Sequence, residues 1–171
     1  MLFIRSHAGL LVLEDEQPEH LTALFTNEPY SRFKYVDEQL RDRVLIVHPF
    51  EGDRKLSFGV SPYFIAESVE GYLPSTVVII AGCSCLDRTD LAKAFLGRGA
   101  SVVLSWNGTV KLDYLDAATV HLFRALFDEG LTVREAVENT MFECGPSPDY
   151  GARLTYFPLA AGRYTVAELI N

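Results

Sequence analysis

The chain lacks the features that mark nucleic-acid and membrane partners. Its 171 residues contain 15 Lys and Arg against 23 Asp and Glu, so the formal net charge is −8, and no segment gathers Lys or Arg. Binding to nucleic acid or to an anionic membrane is not expected, because both depend on a basic surface. No apolar run approaches the ~20 residues that span a bilayer, and Arg5 and His7 come too early for a signal peptide. These absences predict a cytoplasmic protein.

Cysteine is also scarce. Only Cys83, Cys85 and Cys144 are present, and an odd number of cysteines in a chain of this size does not indicate a disulfide framework. Cys83 and Cys85 form a C-x-C pair, which is shorter than the C-x-x-C of zinc and redox motifs, and no second pair of ligands follows. We therefore expect reduced thiols and neither a metal nor another cofactor.

Residues 76–110 are the most informative part of the sequence. Residues 77–80, VVII, form a continuous apolar run that is typical of a strand buried on both faces of a parallel sheet. Apolar spacing predicts a helix over residues 89–98, which Gly99 ends, and a second buried strand over residues 101–106. Ligand chemistry in such a βαβ unit gathers at the carboxyl ends of the strands. With 49% apolar residues, the sequence predicts one folded α/β domain over residues 1–171.

Other segments extend this pattern along the chain. Strands are predicted at residues 2–6, 10–13, 44–47 and 55–60, and the last two fit a β-hairpin. Helices are predicted at residues 61–70, 113–129 and 132–142, and Thr132 and Glu135 form a capping box at the start of the last one. Turns are predicted at residues 14–19 and 51–54, and a loop at residues 26–31. Residues 21–25 fit a strand or a short helix, and residues 153–157 and 163–169 fit a closing hairpin or a strand and a helix. Because the chain starts on a buried strand, we expect earlier strands of the sheet to be missing or to come from another chain. An open sheet edge would also allow a homodimer.

Cys83 and His7 are the candidate catalytic residues. Cys83 ends a predicted strand directly before a predicted helix, whose N-terminus can favour the nucleophilic thiolate, although most cysteines are simply small apolar core residues. Cys85 competes for the same role. His7 also follows a predicted strand, and if the two strands are parallel neighbours, both side chains emerge at one sheet edge as a Cys–His dyad. His48, which ends another strand, is the rival base.

Several motifs occur in an order that is found in one family. A strand leads into His7 and Gly9, the segment VVIIAGC leads into the helix AKAFLGRGA at residues 92–100, and a later strand, SVVLSWNG, contains Trp106. The sequence LTVREAV at residues 131–137 fits the helix that follows. This order resembles the caspase-like cysteine peptidases, the clan of caspases, gingipains, clostripain, separase and CHAT domains, and the CHAT type is the most similar. The resemblance covers residues 76–140 and, more loosely, residues 2–9.

The resemblance implies a fold and a set of catalytic roles. The fold would be α/β, a caspase-like three-layer sandwich with a mostly parallel sheet and a β-rich insertion between the histidine and cysteine strands. Cys83 would be the nucleophile and His7 the general base of a cysteine endopeptidase, which cleaves a peptide or protein substrate through an acyl-thioester. The N–H groups of Cys83 and of Gly9 or Ala8 would form the oxyanion hole.

The resemblance also implies a substrate pocket, whose walls would be Trp106 and Asn107. The sequence departs from the family pattern near both catalytic residues. Ala8 comes between the histidine and the glycine that usually follows it directly. Ala81 and Gly82, just before the nucleophile, provide no carboxylate of the kind that selects Arg or Lys in the pocket.

Two alternatives to a peptidase stay open. A non-catalytic member of the same fold would act as a binding or scaffold module. A cysteine-dependent phosphatase is more remote, and it is suggested by the segment CLDRTD, from Cys85 to Asp90, which resembles CLDRTN of Sac-type phosphoinositide phosphatases. Those enzymes need C-x5-R to cradle a phosphate on backbone N–H groups, whereas only four residues separate Cys83 from Arg88.

Overall fold

A computed structural model describes residues 1–13, 19–48 and 55–171. These residues form two four-stranded sheets. The strands are β1 (Leu2–Arg5), β2 (Ala8–Leu13), β3 (Glu19–Pro29), β4 (Val44–Val47), β5 (Ser57–Val60), β6 (Thr76–Ala81), β7 (Ala100–Trp106) and β8 (Leu154–Phe157). The α-helices are α1 (Val36–Leu40), α2 (Asp90–Gly97), α3 (Leu112–Phe123), α4 (Val133–Cys144) and α5 (Val166–Ile170). Most of the turn predicted at residues 14–19, and all of the turn at residues 51–54, lie outside the described residues.

The central sheet has the order β1-β6-β7-β8, in which β1, β6 and β7 are parallel and β8 is antiparallel to β7. Successive side chains of β6 point to opposite faces, so Val77 and Ile79 join one core while Val78 and Ile80 join the other. The apolar run in the sequence thus serves two cores, as expected of a strand that is covered on both faces. The predicted α/β class with a mostly parallel sheet is confirmed.

Helices cover both faces of this sheet. The core around Val77 also takes side chains from α3, α4 and α5, whereas α2 packs on the opposite face. α3 continues directly into a π-helical turn at Arg124–Asp128, and a second π-helical turn, Phe64–Ser68, packs beside α2. The helical segment that contains this second turn begins just after Ser61, as predicted, and the Ser61 Oγ accepts the Tyr63 N–H at 3.1 Å. The helix–sheet–helix layering follows from these two apolar faces.

The second sheet has the order β2-β3-β5-β4 and is antiparallel throughout. It lies between His7 and Cys83 in the sequence, which confirms the predicted β-rich segment, and β4 and β5 pair as the predicted hairpin. The loop predicted at residues 26–31 is wrong, because β3 runs on to Pro29. Pro29 lies opposite Ser57 beyond a register shift, at the strand end, where the N–H that proline lacks is not needed.

The C-terminal region closes the central sheet as a strand and a helix. β8 pairs with β7, and α5 packs on the core that α4 covers. Both helices begin with a capping box: Thr132 and Glu135 hydrogen-bond each other's backbone N–H at the start of α4, and Thr165 and Glu168 do the same in α5. The box predicted for residues 132–142 is therefore confirmed.

Replacing Thr132 tests how much this cap stabilises the fold. Thr132→Ala is expected to lower the free energy of unfolding by about 1 kcal/mol, because the first N–H groups of α4 lose a side-chain acceptor. Urea unfolding followed by circular dichroism measures the change. Thr119→Ala is the matched control, since the Thr119 hydroxyl only donates to the Leu115 carbonyl within α3 and alanine is the better helix former. An equal loss at both positions would contradict the capping role.

Candidate functional site

Parallel pairing of β1 with β6 brings the ends of the two strands together. Arg5 lies opposite Ala81 in the register, and the Ser6 N–H donates to the Ala81 carbonyl at 3.2 Å. His7 and Cys83 each follow two residues after this last matched pair, so both leave the same edge of the sheet. The predicted parallel pairing of these two strands is confirmed.

Contacts along β1 and β6 place this edge against α3. Phe3 packs on Phe123 of α3 with ring centroids 5.2 Å apart. Arg5 forms a two-bond ion pair with Asp116 of α3, at 2.9 and 2.8 Å. Cys83 packs against the core on the same side. Phe3 and Arg5 thereby orient β1 relative to α3.

An open cavity of about 290 Å³ lies at this edge of the sheet. It is lined by Arg5, Ser6, His7, Phe25, Thr26, Asn27, Ala81 and Leu112. His7 is exposed, whereas Cys83 is half-buried and outside the lining, two residues after Ala81. The sequence does not predict that residues 25–27 line this cavity, because no local pattern indicates that β3 extends past its pairing with β2 and forms a wall beside His7.

The Cys83 thiol contacts the segment that leads into α3. Its Sγ lies 3.4 Å from both the N and the O of Val110, accepting from one and donating to the other. The helix predicted over residues 89–98 is confirmed as α2, but residues 82–89 form turns, so Cys83 does not lie directly at the N-terminus of this helix. Gly82 allows this turn to approach the end of β1, since a Cβ there would lie 2.7 Å from the Ser6 carbonyl oxygen.

Cys85 points into the core on the opposite face of the sheet. Its side chain is fully buried, and its Sγ donates to the Cys83 carbonyl at 3.4 Å. Burial raises the pKa of the Cys85 thiol to about 12, so the thiol is protonated and inaccessible at neutral pH. Of the two neighbouring cysteines, Cys83 is the better candidate nucleophile.

The β2–β3 ladder decides which N–H groups near His7 are available. The Phe25 N–H donates to the His7 carbonyl at 2.8 Å, and hydrogen-bonded pairs alternate along an antiparallel ladder. The next such pair is Gly9 with Ala23, so the Gly9 N–H is used within the sheet. This pairing does not favour the predicted oxyanion role of Gly9, which stays a prediction. The Ala8 N–H, the alternative donor, points to the open edge of β2.

Trp106 and Asn107 are held by neighbouring segments. Trp106 is only 1% exposed, and its ring packs edge-on against Tyr114 with centroids 5.4 Å apart. Asn107 is exposed, but its Oδ1 accepts the Arg153 N–H at 2.8 Å and its own N–H donates to the Arg153 carbonyl at 3.1 Å. The predicted pocket wall is corrected at Trp106, because this ring fills the core beneath α3.

The segment CLDRTD is organised around the Asp90 carboxylate. This carboxylate accepts the Thr22 N–H and hydroxyl at 2.8 and 2.7 Å, and the Leu91 N–H at 2.8 Å. It anchors the start of α2 to β3 and places negative charge where a phosphate cradle needs donors. Since Cys85 is also buried, the local geometry does not favour the phosphatase alternative.

His48, the rival base, belongs to the far side of the second sheet. It follows β4, and both β5 and β3 lie between β4 and β2. His7, in contrast, follows β1, which pairs with β6. The dyad hypothesis therefore concerns His7 and not His48.

Comparison of the chain with protein-family models, characterised proteins and solved structures found no match. Within residues 1–13, 19–48 and 55–171, no helix is long and apolar enough to cross a membrane, and no group of three or more His, Cys, Asp or Glu side chains is placed to hold a metal ion. What the chain does must be inferred from the geometry around His7 and Cys83.

Native-state alkylation is expected to distinguish the two neighbouring cysteines. Iodoacetamide at about pH 7.5 should modify Cys83 at least ~tenfold faster than Cys85, because the Cys85 thiol is buried and its pKa is raised to about 12. A rise to about pH 9 should not make Cys85 reactive, since this is still well below its pKa. Peptide mass spectrometry of timed samples measures the rates, with urea-unfolded protein as the control. Fast alkylation of Cys85 in the folded protein would reverse the assignment.

Proposed function

We propose that the protein is a cysteine endopeptidase of caspase-like fold, with Cys83 as the nucleophile and His7 as the general base. The register of β1 and β6 carries this proposal, because it sets both residues at the same step beyond Arg5 and Ala81. A Cys–His dyad needs this adjacency. The order β1-β6-β7, the helices on both faces and the β-rich segment between the histidine and the cysteine support the caspase-like arrangement.

The first half of the reaction would form an acyl-enzyme. The His7 imidazole takes the proton of the Cys83 thiol, and Sγ attacks the carbonyl carbon of the scissile peptide bond. A C–S bond forms, and the C–N bond breaks as His7 passes the proton to the leaving amine. The Val110 contacts of Cys83 are long sulfur contacts, so the thiol can exchange them for the substrate at small cost.

The second half would hydrolyse the acyl-thioester. Water attacks the thioester carbon while His7 accepts a proton from it, and the C–S bond breaks to release the acid and restore the thiol. The N–H groups of Ala8 and Cys83 would stabilise both oxyanions. None of the described residues accepts a hydrogen bond from the Cys83 N–H, and the Ala8 N–H points out of the β2–β3 ladder.

The cavity beside His7 is the proposed substrate cleft. Pairing of β2 with β3 ends near Phe25, so residues 26–29 of β3 have no β2 partner on this side, although the Glu28 N–H is bonded to Thr26 and Pro29 has no N–H. An extended peptide can add to a strand edge as a further strand, using its own backbone hydrogen bonds. Ser6 and Asn27 supply polar groups in the cleft, and Leu112 supplies apolar contact.

A non-catalytic peptide-binding module is the second candidate. It is favoured by the state of the Cys83 thiol, which is half-buried and hydrogen-bonded to both backbone groups of Val110. If peptide binding leaves these contacts in place, the cleft would bind an extended segment without cleaving it.

Covalent labelling with a peptidyl acyloxymethyl ketone tests the proposed function. The wild-type protein is expected to be labelled at Cys83, and Cys83→Ala should abolish the reaction. His7→Ala should slow labelling by about 10²-fold or more, because general acid–base catalysis contributes roughly this much. Mass spectrometry identifies the labelled residue and its rate of formation.

Two variants serve as controls for this labelling. Cys85→Ala removes the buried thiol, and His121→Ala removes an exposed histidine of α3; both should be labelled at the wild-type rate once circular dichroism shows that they are folded. Transfer of the label to Cys85, or a rate that does not depend on His7, would refute the dyad. Peptide binding without labelling or cleavage would favour the non-catalytic module.

A further inference from the structure

A second cavity lies beyond Thr26, between the antiparallel sheet, α1 and the π-helical turn Phe64–Ser68. Its volume is about 240 Å³, and its lining consists of Thr26, Glu28, Tyr35, Glu38, Val44, Phe58, Val60 and Phe64. This is smaller than the ~300–1,000 Å³ of sites for drug-sized ligands, but it is enough for one amino-acid side chain. The cavity contains neither His7 nor Cys83, so the proposed catalysis does not account for it.

Three of the eight residues that line this cavity are aromatic, namely Tyr35, Phe58 and Phe64. Phe58 is 2% exposed, and the rings of Tyr30 and Tyr35 pack edge-on against it, each with centroids 5.3 Å away. Phe64 adds a further ring from the π-helical turn. Aromatic faces attract a cation and at the same time cover the carbon chain that carries it.

Tyr35 reaches the cavity through an unfavourable backbone conformation. Its φ of 52° and ψ of 40° lie in the left-handed region, which bulky residues rarely adopt. A hydrogen bond from its hydroxyl to Glu28 at 2.9 Å and the packing on Phe58 offset the strain. Glycine would adopt this backbone conformation at lower cost, so the backbone does not explain why a tyrosine is present at this position. The half-exposed ring and its contacts do.

Carboxylates outnumber cations around the cavity. Glu28 is paired with Lys34 at 2.8 Å, but Glu38 and Glu67 share the single guanidinium of Arg43, at 3.3 and 2.7 Å. Arg43 is closer to Glu67, and Glu38 is the partner that lines the cavity. The Glu38 carboxylate also accepts the Ser68 hydroxyl at 3.0 Å. Among the described residues, however, the only cation paired with it is the guanidinium that it shares with Glu67, so the local charge favours a further cation over an anion.

We propose that this cavity binds the side chain of a lysine or arginine residue of the peptide substrate, with its methylene groups against the rings and its charged end at Glu38. Thr26 lines both this cavity and the cleft beside His7, and Glu28 is two residues further along β3. At about 3.3 Å per residue, a peptide extended from the cleft reaches the cavity within roughly two residues. That the ligand is part of a substrate rests on the proposed function, whereas the preference for a cation does not.

Binding of Nα-acetyl-lysine amide to the Cys83→Ala protein tests the site without any catalysis. Nα-acetyl-norleucine amide has the same carbon chain without the charge. In an NMR titration the lysine amide should shift resonances of Tyr35, Phe58 and Phe64 and bind at least ~fivefold more tightly than the norleucine amide, and salt should weaken only the lysine amide. Equal binding of the two amides, or shifts confined to other surfaces, would overturn the proposal.

Two substitutions test the binding site while leaving the fold intact. Tyr35→Gly removes the ring and suits the left-handed backbone, so the protein should stay folded while its affinity for the lysine amide falls at least ~fivefold. Glu38→Gln should reduce the preference for lysine over norleucine. Tyr150→Gly and Glu129→Gln, at exposed positions outside the cavity, are matched controls and should bind as the parent does. Unchanged binding by a folded Tyr35→Gly protein would also overturn the proposal.

The binding and labelling experiments fail independently. Saturable binding of the lysine amide at Tyr35 without labelling of Cys83 would refute the peptidase and keep the cation site. Labelling of Cys83 at equal rates by lysine and norleucine probes, with no amide binding at the cavity, would keep the peptidase and refute the cation site.

Discussion

The parallel backbone ladder between β1 and β6 is the constraint on which the candidate site depends. Its register, which ends with Arg5 opposite Ala81, determines where the chain leaves each strand. A slip by one residue would turn every β1 side chain to the other face of the sheet and would separate His7 from Cys83. Packing of Phe3 against Phe123 of α3 opposes that slip, because a slip would turn the Phe3 ring away from this partner. A short edge strand is thus held by side chains that lie outside the site itself.

The turn that follows β6 gives the two neighbouring cysteines different environments. Cys83 continues the side of the sheet that α3 covers, whereas Cys85 enters the opposite core beside α2. Burial then decides their chemistry, since a thiol without solvent or a cationic partner keeps its proton. Gly82 makes the separation sterically possible, because no side chain fits between this turn and the Ser6 carbonyl. The C-x-C motif therefore contains one candidate nucleophile, Cys83, and one core residue, Cys85, which do not act together as a pair.

The sequence predicted what depends on local patterns and missed what depends on pairing between distant strands. The βαβ unit of residues 76–110, the β4–β5 hairpin and the capping box at Thr132 all follow from apolar spacing and short-range hydrogen bonds. The burial of Trp106 and the use of the Gly9 N–H could not be predicted in this way. The first depends on how α3 crosses the end of β7, and the second on which pairs of the β2–β3 ladder exchange hydrogen bonds. The loop prediction around Pro29 was wrong for a related reason. The energetic cost of a proline in a strand depends on whether the neighbouring strand needs an N–H donor at that position.

The antiparallel sheet explains how a segment without a counterpart in the family resemblance can contribute to the site. β2 begins directly after His7, and β3 continues past the point where its pairing with β2 stops. The part of β3 without a β2 partner borders the cleft beside His7, and Thr26 on this part also borders the second cavity. If β3 ended where its pairing with β2 ends, the cleft would lose one wall and its link to the second cavity. The length of β3 therefore determines whether one extended ligand can occupy both the cleft and the second cavity. Ligand preference would accordingly be set by the antiparallel sheet and not by the central sheet.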